Sequence, residues 1–116
     1  MSLKTIILLS LTEIIGDVGL KYFATEGTIK WLSVGLVGYC GVIGLLIYAL
    51  QNSTILMVNG AWDGVSALLV SLFVIIFLGE TFSNYLQYFG LIFIILGIYL
   101  LKIPFSDDHP FHIPEF

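Results

Sequence analysis

Four long apolar runs constrain the fold of this chain more than any other feature of its sequence. Each run has the ~20 residues that an α-helix needs to cross a hydrocarbon core about 30 Å thick. Polarity does not alternate along them as it does along the strands of a membrane β-barrel. The sequence therefore predicts an all-α membrane protein with four transmembrane helices. These cover about residues 3–23, 31–50, 55–78 and 85–102, in a domain of residues 1–103.

Composition supports this assignment and excludes several classes of function. Hydrophobic residues make up 59% of the 116 residues and charged residues only 10%, against about a quarter in soluble domains. We expect a multi-pass protein of the cell (inner) membrane, with the lipid bilayer as its solvent. The net charge is -4, which argues against a nucleic-acid partner. No phosphate-binding loop or nucleophile triad is recognisable, so we expect neither an enzyme nor a cofactor.

Short polar links join the runs, so consecutive helices are expected to be antiparallel neighbours. The lysines do not decide the orientation in the membrane. With the N-terminus inside, Lys4 and Lys102 lie on the cytoplasmic side, and Lys21 and Lys30 lie on the opposite side. This balance leaves the orientation undecided under the positive-inside rule. Either other factors fix the orientation, or both orientations occur, as an antiparallel homodimer requires.

The first helix carries charge in its apolar run. Glu13, Asp17 and Lys21 are spaced four residues apart and share one face. An acid at the centre of a membrane helix costs about 2.5–3.5 kcal/mol, so such residues usually have a use. Asp17 could form a salt bridge with Lys21, whereas Glu13 has no obvious local cation. A desolvated carboxylate readily holds a proton and can release it to an arriving cation, which is the chemistry of a proton-coupled exchanger.

A polar stripe lies on the third helix. Asn59, Trp62, Asp63 and Ser66 fall on one face, and a polar stripe at membrane depth faces protein or water. The ring of Trp62 suits an organic cation, although a packed Trp beside a water-facing Asp fits the same pattern. Tyr39 on the second helix could add a ring or a hydroxyl, or simply pack. The candidate proton and substrate site is thus Glu13, Asp17, Tyr39, Asn59, Trp62 and Asp63.

Small residues recur on two helices and allow close helix packing in lipid. Packing within one chain and packing across a dimer explain them equally well. Four helices can hardly enclose a solvated cavity, so we expect a homodimer of eight helices. Free cysteine behaves as a small hydrophobe, so Cys40 is expected to be buried. The glycines concerned are Gly35, Gly38, Gly41 and Gly44 on the second helix, and Gly90 and Gly97 on the fourth.

The C-terminal tail, residues 104–116, differs from the rest of the chain. Its three prolines exclude a helix over much of its length. Asp107, His109 and His112 are too loosely spaced to favour a metal site. Phenylalanines in an extended acidic tail are more typical of a docking segment.

The sequence resembles the small multidrug resistance transporters over nearly its whole length apart from the tail. By this resemblance the chain is a proton-coupled exporter that works as an antiparallel dimer. Glu13 is then the shared proton and substrate site, and Trp62 and Tyr39 line the cavity, while Gly90 and Gly97 lie at the dimer contact. The matching motifs are Glu13-Ile-Ile-Gly16 with Lys21, Trp31-x-Ser-Val-Gly35 with Tyr39, Ala61-Trp62-x-Gly64, Leu78-Gly-Glu80 and Gly90-x6-Gly97.

The sequence departs from the family pattern at several positions. Asn59 stands where a tyrosine is common, and Ser66 replaces the second glycine after the tryptophan. Asp17 and Asp63 are additional acids, which suggests a cation with more than one charge. An acid directly after the tryptophan also resembles one subunit of the paired polyamine exporters, so the partner is a second copy or a related chain.

Two functions follow from these observations. The first is a proton-coupled antiporter that exports small organic cations of the quaternary ammonium or polyamine type. The alternative is a non-transporting membrane subunit that packs into a larger assembly through residues 104–116. An ion channel is disfavoured because no selectivity filter is recognisable.

Overall fold

The computed structural model describes residues 1–105, 111 and 113. These residues form four α-helices: α1 (Leu3–Glu26), α2 (Ile29–Leu50), α3 (Ile55–Phe77) and α4 (Leu86–Leu101). The prediction of an all-helical chain with four helices is confirmed.

Local sequence explains where the helices begin and end. The side chains of Ser2 and Thr54 accept hydrogen bonds from the first turns of α1 and α3, at 3.1 Å from the backbone nitrogens of Thr5 and Met57. Helix α1 runs past residue 23 to Glu26. It ends where Gly27 adopts a left-handed conformation, with φ 75°, and its N–H bonds the carbonyl of Phe23.

Glycines bring α1 and α2 into backbone contact. A β-carbon on Gly19 would lie 2.5 Å from the backbone nitrogen of Gly35, and one on Gly38 would lie 2.5 Å from that of Gly16. Gly41 similarly faces the side chain of Thr12. Three of the four glycines on α2 therefore pack within the chain. The fourth, Gly44, has no atom within 4 Å of a β-carbon position.

Helix α3 packs against α1, and α4 packs against α3 alone among the four described helices. Gly64 admits the side chain of Ile98 from α4. A buried apolar cluster lies where α1, α2 and α3 meet, whereas α4 has no buried residue. The cluster consists of Met1, Ile6, Leu9, Val42, Ala49, Val58 and Ala61.

The exterior of the bundle is strongly apolar. Two helices in the described part of the chain, α2 and α3, are long and apolar enough by themselves to cross a membrane, and α4 is apolar but shorter. Helix α1 has the length, with 24 residues, but its charged residues set it apart from these apolar helices. Exposed large hydrophobic side chains occur on all four helices, as expected of a surface that faces lipid. The expectation that Cys40 is buried was wrong. Cys40 is exposed, because its side of α2 turns away from α1 and an apolar residue in lipid need not be buried in protein.

Candidate functional site

An open cleft between α1 and α3 brings together three of the five acidic residues of residues 1–103. Its volume is about 320 Å³. Glu13 and Asp17 contribute from α1, one turn apart, and Asp63 contributes from α3. The remaining lining residues are Ser66, Ala67, Val70 and Ser71. Three carboxylates thus share a single concave surface with few apolar neighbours, which is an arrangement suited to a cation.

Glu13 is tied to α3 by a hydrogen bond. The hydroxyl of Ser66 donates to Oε2 of Glu13, across the interface between α1 and α3. The indole N–H of Trp62 lies near the same carboxylate, but outside hydrogen-bonding geometry. Its nitrogen is buried and has no hydrogen-bond partner among the described residues. The site therefore holds one satisfied donor and one donor that a small movement or a ligand could satisfy.

Asp17 is tied to α2 instead. The hydroxyl of Tyr39 donates to Oδ1 of Asp17. Its ring reaches α1 over Gly16, where a β-carbon would lie 2.6 Å from the ring carbon Cδ2 of Tyr39. Any larger residue at position 16 would push this ring away. The glycine of the Glu13-Ile-Ile-Gly16 motif therefore creates the space that lets Tyr39 bond Asp17.

The structure does not pair Asp17 with Lys21 in an ion pair. Lys21 is exposed and lines a neighbouring cleft of about 210 Å³ together with Asp17 and Glu80. This cleft adjoins the acidic one, since Asp17 and Val70 line both. The local spacing suggested a salt bridge, but the tyrosine from α2 takes the place of the lysine.

The polar stripe on α3 divides between two clefts. Asp63 lines the acidic cleft and also a second cleft of about 260 Å³ between α3 and the end of α4. Asn59 lines only the second of these two, with Leu101 and Ile103. The structure thus brings together Glu13, Asp17, Tyr39, Trp62 and Asp63. Asn59 lines a different cleft, which it shares with Asp63 but not with Glu13 or Asp17.

Two residues of the site have roles that the sequence did not reveal. Ser66 belonged to the predicted stripe, but its bond to Glu13 spans 53 residues of chain and no local spacing encodes it. Ser71 lines the acidic cleft further along α3. It lies eight residues after Asp63 and therefore on the same face of α3, but the apolar Ala67 between them interrupts the polar stripe.

The predicted dimer glycines lie outside this site. A β-carbon on Gly90 or Gly97 would meet no atom within 4 Å, so neither glycine is needed for packing inside one chain. In the tail, the ring of Phe111 stacks on Tyr48 with centroids 6.5 Å apart. The candidate metal ligands Asp107, His109 and His112 lie outside the described residues.

Comparison with known proteins identifies the family of this chain. A family model described as Small Multidrug Resistance protein matches residues 1–103 and excludes the tail. No solved structure matches the chain. The family match covers all four helices and every residue of the acidic cleft. The chain therefore belongs to the small multidrug resistance family of membrane transporters.

Proposed function

We propose that this protein is a proton-coupled antiporter of small organic cations and that Glu13 is the shared site of proton and substrate. The observation that carries the proposal is the position of Glu13. It lies inside an apolar helix, yet its carboxylate lines an open cleft together with Asp17 and Asp63. An intramembrane carboxylate that faces a cavity is a functional group by default, because its desolvation is costly.

The exchange follows from the charge balance of the cleft. Protonated Glu13 is neutral and tolerates apolar surroundings. A cation that enters the cleft compensates the carboxylate charge, and the proton leaves to water. Since Glu13 cannot hold both ligands, binding of one expels the other, and a conformational change of the loaded protein that exposes the site to the other side of the membrane exchanges them. Oε1 of Glu13, the oxygen not bonded to Ser66, is the position where proton and cation would compete.

The surrounding residues indicate the substrate class. Trp62 lies near the Glu13 carboxylate, and an aromatic ring face attracts quaternary ammonium and alkylammonium groups. Asp17 and Asp63 add negative charge within the same cleft. A cation with two or more separated charges, such as a polyamine, would satisfy more of these carboxylates than a monovalent ion.

The open cleft and the exposed helix α4 are two surfaces that a second chain would cover. The cleft is open on one side, and α4 leaves all of its residues at least partly exposed. A second copy in the opposite orientation would cover α4, with Gly90 and Gly97 allowing close approach. The balanced lysine distribution is compatible with both orientations. A related chain in place of the second copy would serve equally, as in a paired exporter.

Proton release in detergent tests the proposal. Tetraethylammonium chloride or spermidine is added to weakly buffered, purified protein, and the pH change is recorded. The wild-type protein is expected to release protons on addition of at least one cation, and Glu13→Gln is expected to release none. Glu26→Gln is the matched control, because Glu26 lies at the exposed end of the same helix and its only described side-chain bond is to the indole of Trp31. Equal release by wild type and Glu13→Gln would contradict the proposal.

A further inference from the structure

Ser66 stands out among the buried polar side chains of the bundle. It is 6% exposed, on an apolar membrane helix. Its hydroxyl turns toward α1 and bonds the Glu13 carboxylate, although many serines in helices bond their own backbone one turn earlier. Ser10 and Ser33 of this chain do the latter, at 3.0 Å from the carbonyls of Ile6 and Ile29.

We infer that Ser66 is the positioning residue for Glu13, holding one carboxylate oxygen against α3 so that the other faces the acidic cleft. The inference rests on the proposed function of Glu13 and adds a residue that acts through it.

A hydroxyl suits a carboxylate that changes its protonation state. It donates to the ionised carboxylate, and it can either donate to or accept from the protonated acid. The contact can therefore persist through the exchange cycle. It is stronger while Glu13 is ionised, because a hydrogen bond to a charged acceptor is about twice as strong as a neutral one.

The neighbouring carboxylates oppose the effect of the Ser66 hydrogen bond on Glu13. Asp17 from α1 and Asp63 from α3 face the same cleft, and like charges disfavour an ionised Glu13. From α2, Tyr39 directs its hydroxyl to Asp17 and not to Glu13. Helix α4 packs against α3 and not against α1. Ser66 is thus the side chain of the described bundle that hydrogen-bonds the Glu13 carboxylate, whereas the indole N–H of Trp62 is left without a partner among the described residues.

Infrared titration of the purified protein in detergent, without any cation substrate, tests this role. The carbonyl stretch of protonated Glu13 is identified as the band that Glu13→Gln removes. Its intensity and frequency are then followed against pH in wild type, Ser66→Ala and Ser66→Thr. Ser71→Ala is the matched control, because Ser71 lies on the same helix and lines the same cleft without bonding Glu13.

Loss of the donor in Ser66→Ala is expected to move the midpoint of this titration to higher pH by about 0.5–1 unit, from the usual worth of one hydrogen bond to a partly solvated carboxylate. The carbonyl stretch should also move to higher frequency, as expected when a donor is lost. Ser66→Thr should restore both quantities, and Ser71→Ala should change neither.

Two results would overturn the inference. Only the second of them would also overturn the proposed function of Glu13. If Glu13 titrates but Ser66→Ala has the same midpoint and frequency as Ser71→Ala, Ser66 does not position Glu13, and the proposed antiport is unaffected. If no Glu13-dependent band titrates between about pH 5 and pH 9, the proposed proton site fails together with the inference.

Discussion

Replacing Gly38 by alanine should separate α1 from α2. The new β-carbon would lie 2.5 Å from the backbone nitrogen of Gly16 and 2.6 Å from its α-carbon, whereas ordinary contacts begin at 3.4 Å. Backbone atoms cannot rotate out of the way, so the helices must move apart by about 1 Å, which removes dispersion contacts along the interface. Overpacking usually costs about 1–3 kcal/mol, and the rigid contact here places Gly38→Ala near 3 kcal/mol.

Gly44→Ala is the control for this prediction. Gly44 lies on the same helix, and a β-carbon there meets no atom within 4 Å. Both substitutions gain the same helix propensity, so the difference between them isolates the contact. Reversible unfolding in mixed micelles with increasing denaturing detergent, followed by tryptophan fluorescence, gives the two free energies of unfolding. Equal values for Gly38→Ala and Gly44→Ala would refute the close packing of α1 on α2.

Two further substitutions test other contacts. Tyr39→Phe should lower the free energy of unfolding by about 1–2 kcal/mol in the same assay, because Asp17 loses its hydrogen-bond donor. Tyr99→Phe is the control, because Tyr99 lies on an exposed face of α4. Equal effects of the two substitutions would show that the bond between Tyr39 and Asp17 contributes nothing to stability. Gly97→Leu should not destabilise the single chain, since open space surrounds Gly97 and leucine is a better helix former than glycine. It should reduce the dimer fraction found by cross-linking in liposomes, and an unchanged fraction would count against α4 as the dimer contact.

Several features of the fold could be predicted because they depend on local composition. Long apolar runs are sufficient to predict four helices, since a helix in lipid satisfies its own backbone hydrogen bonds. The acids of α1 could be placed on one face from their spacing alone. The hydrogen-bond partners of these acids could not be predicted in this way. Asp17 lies four residues before Lys21, which favours a salt bridge, but the tyrosine that bonds Asp17 lies 22 residues away on another helix.

Other features depend on how the helices rotate against each other, and spacing does not encode that rotation. The glycine pattern of α2 indicates a close approach without identifying the neighbour, which the structure shows to be α1 for Gly38. The stripe on α3 is wide enough to reach two clefts, so Asn59 lies apart from Glu13. Cys40 illustrates a different limit, because burial rules derived from proteins in water do not hold for a helix face that contacts lipid.

Transport into liposomes under an imposed pH gradient tests the central claim most directly. The protein is reconstituted, and uptake of labelled spermidine or tetraethylammonium is measured with the gradient present and after it is collapsed. Proton coupling through Glu13 predicts gradient-driven uptake by wild type and by Glu26→Gln, and none by Glu13→Gln, although that variant folds normally. Uptake by Glu13→Gln at the wild-type rate, or uptake by wild type that does not depend on the gradient, would contradict this account.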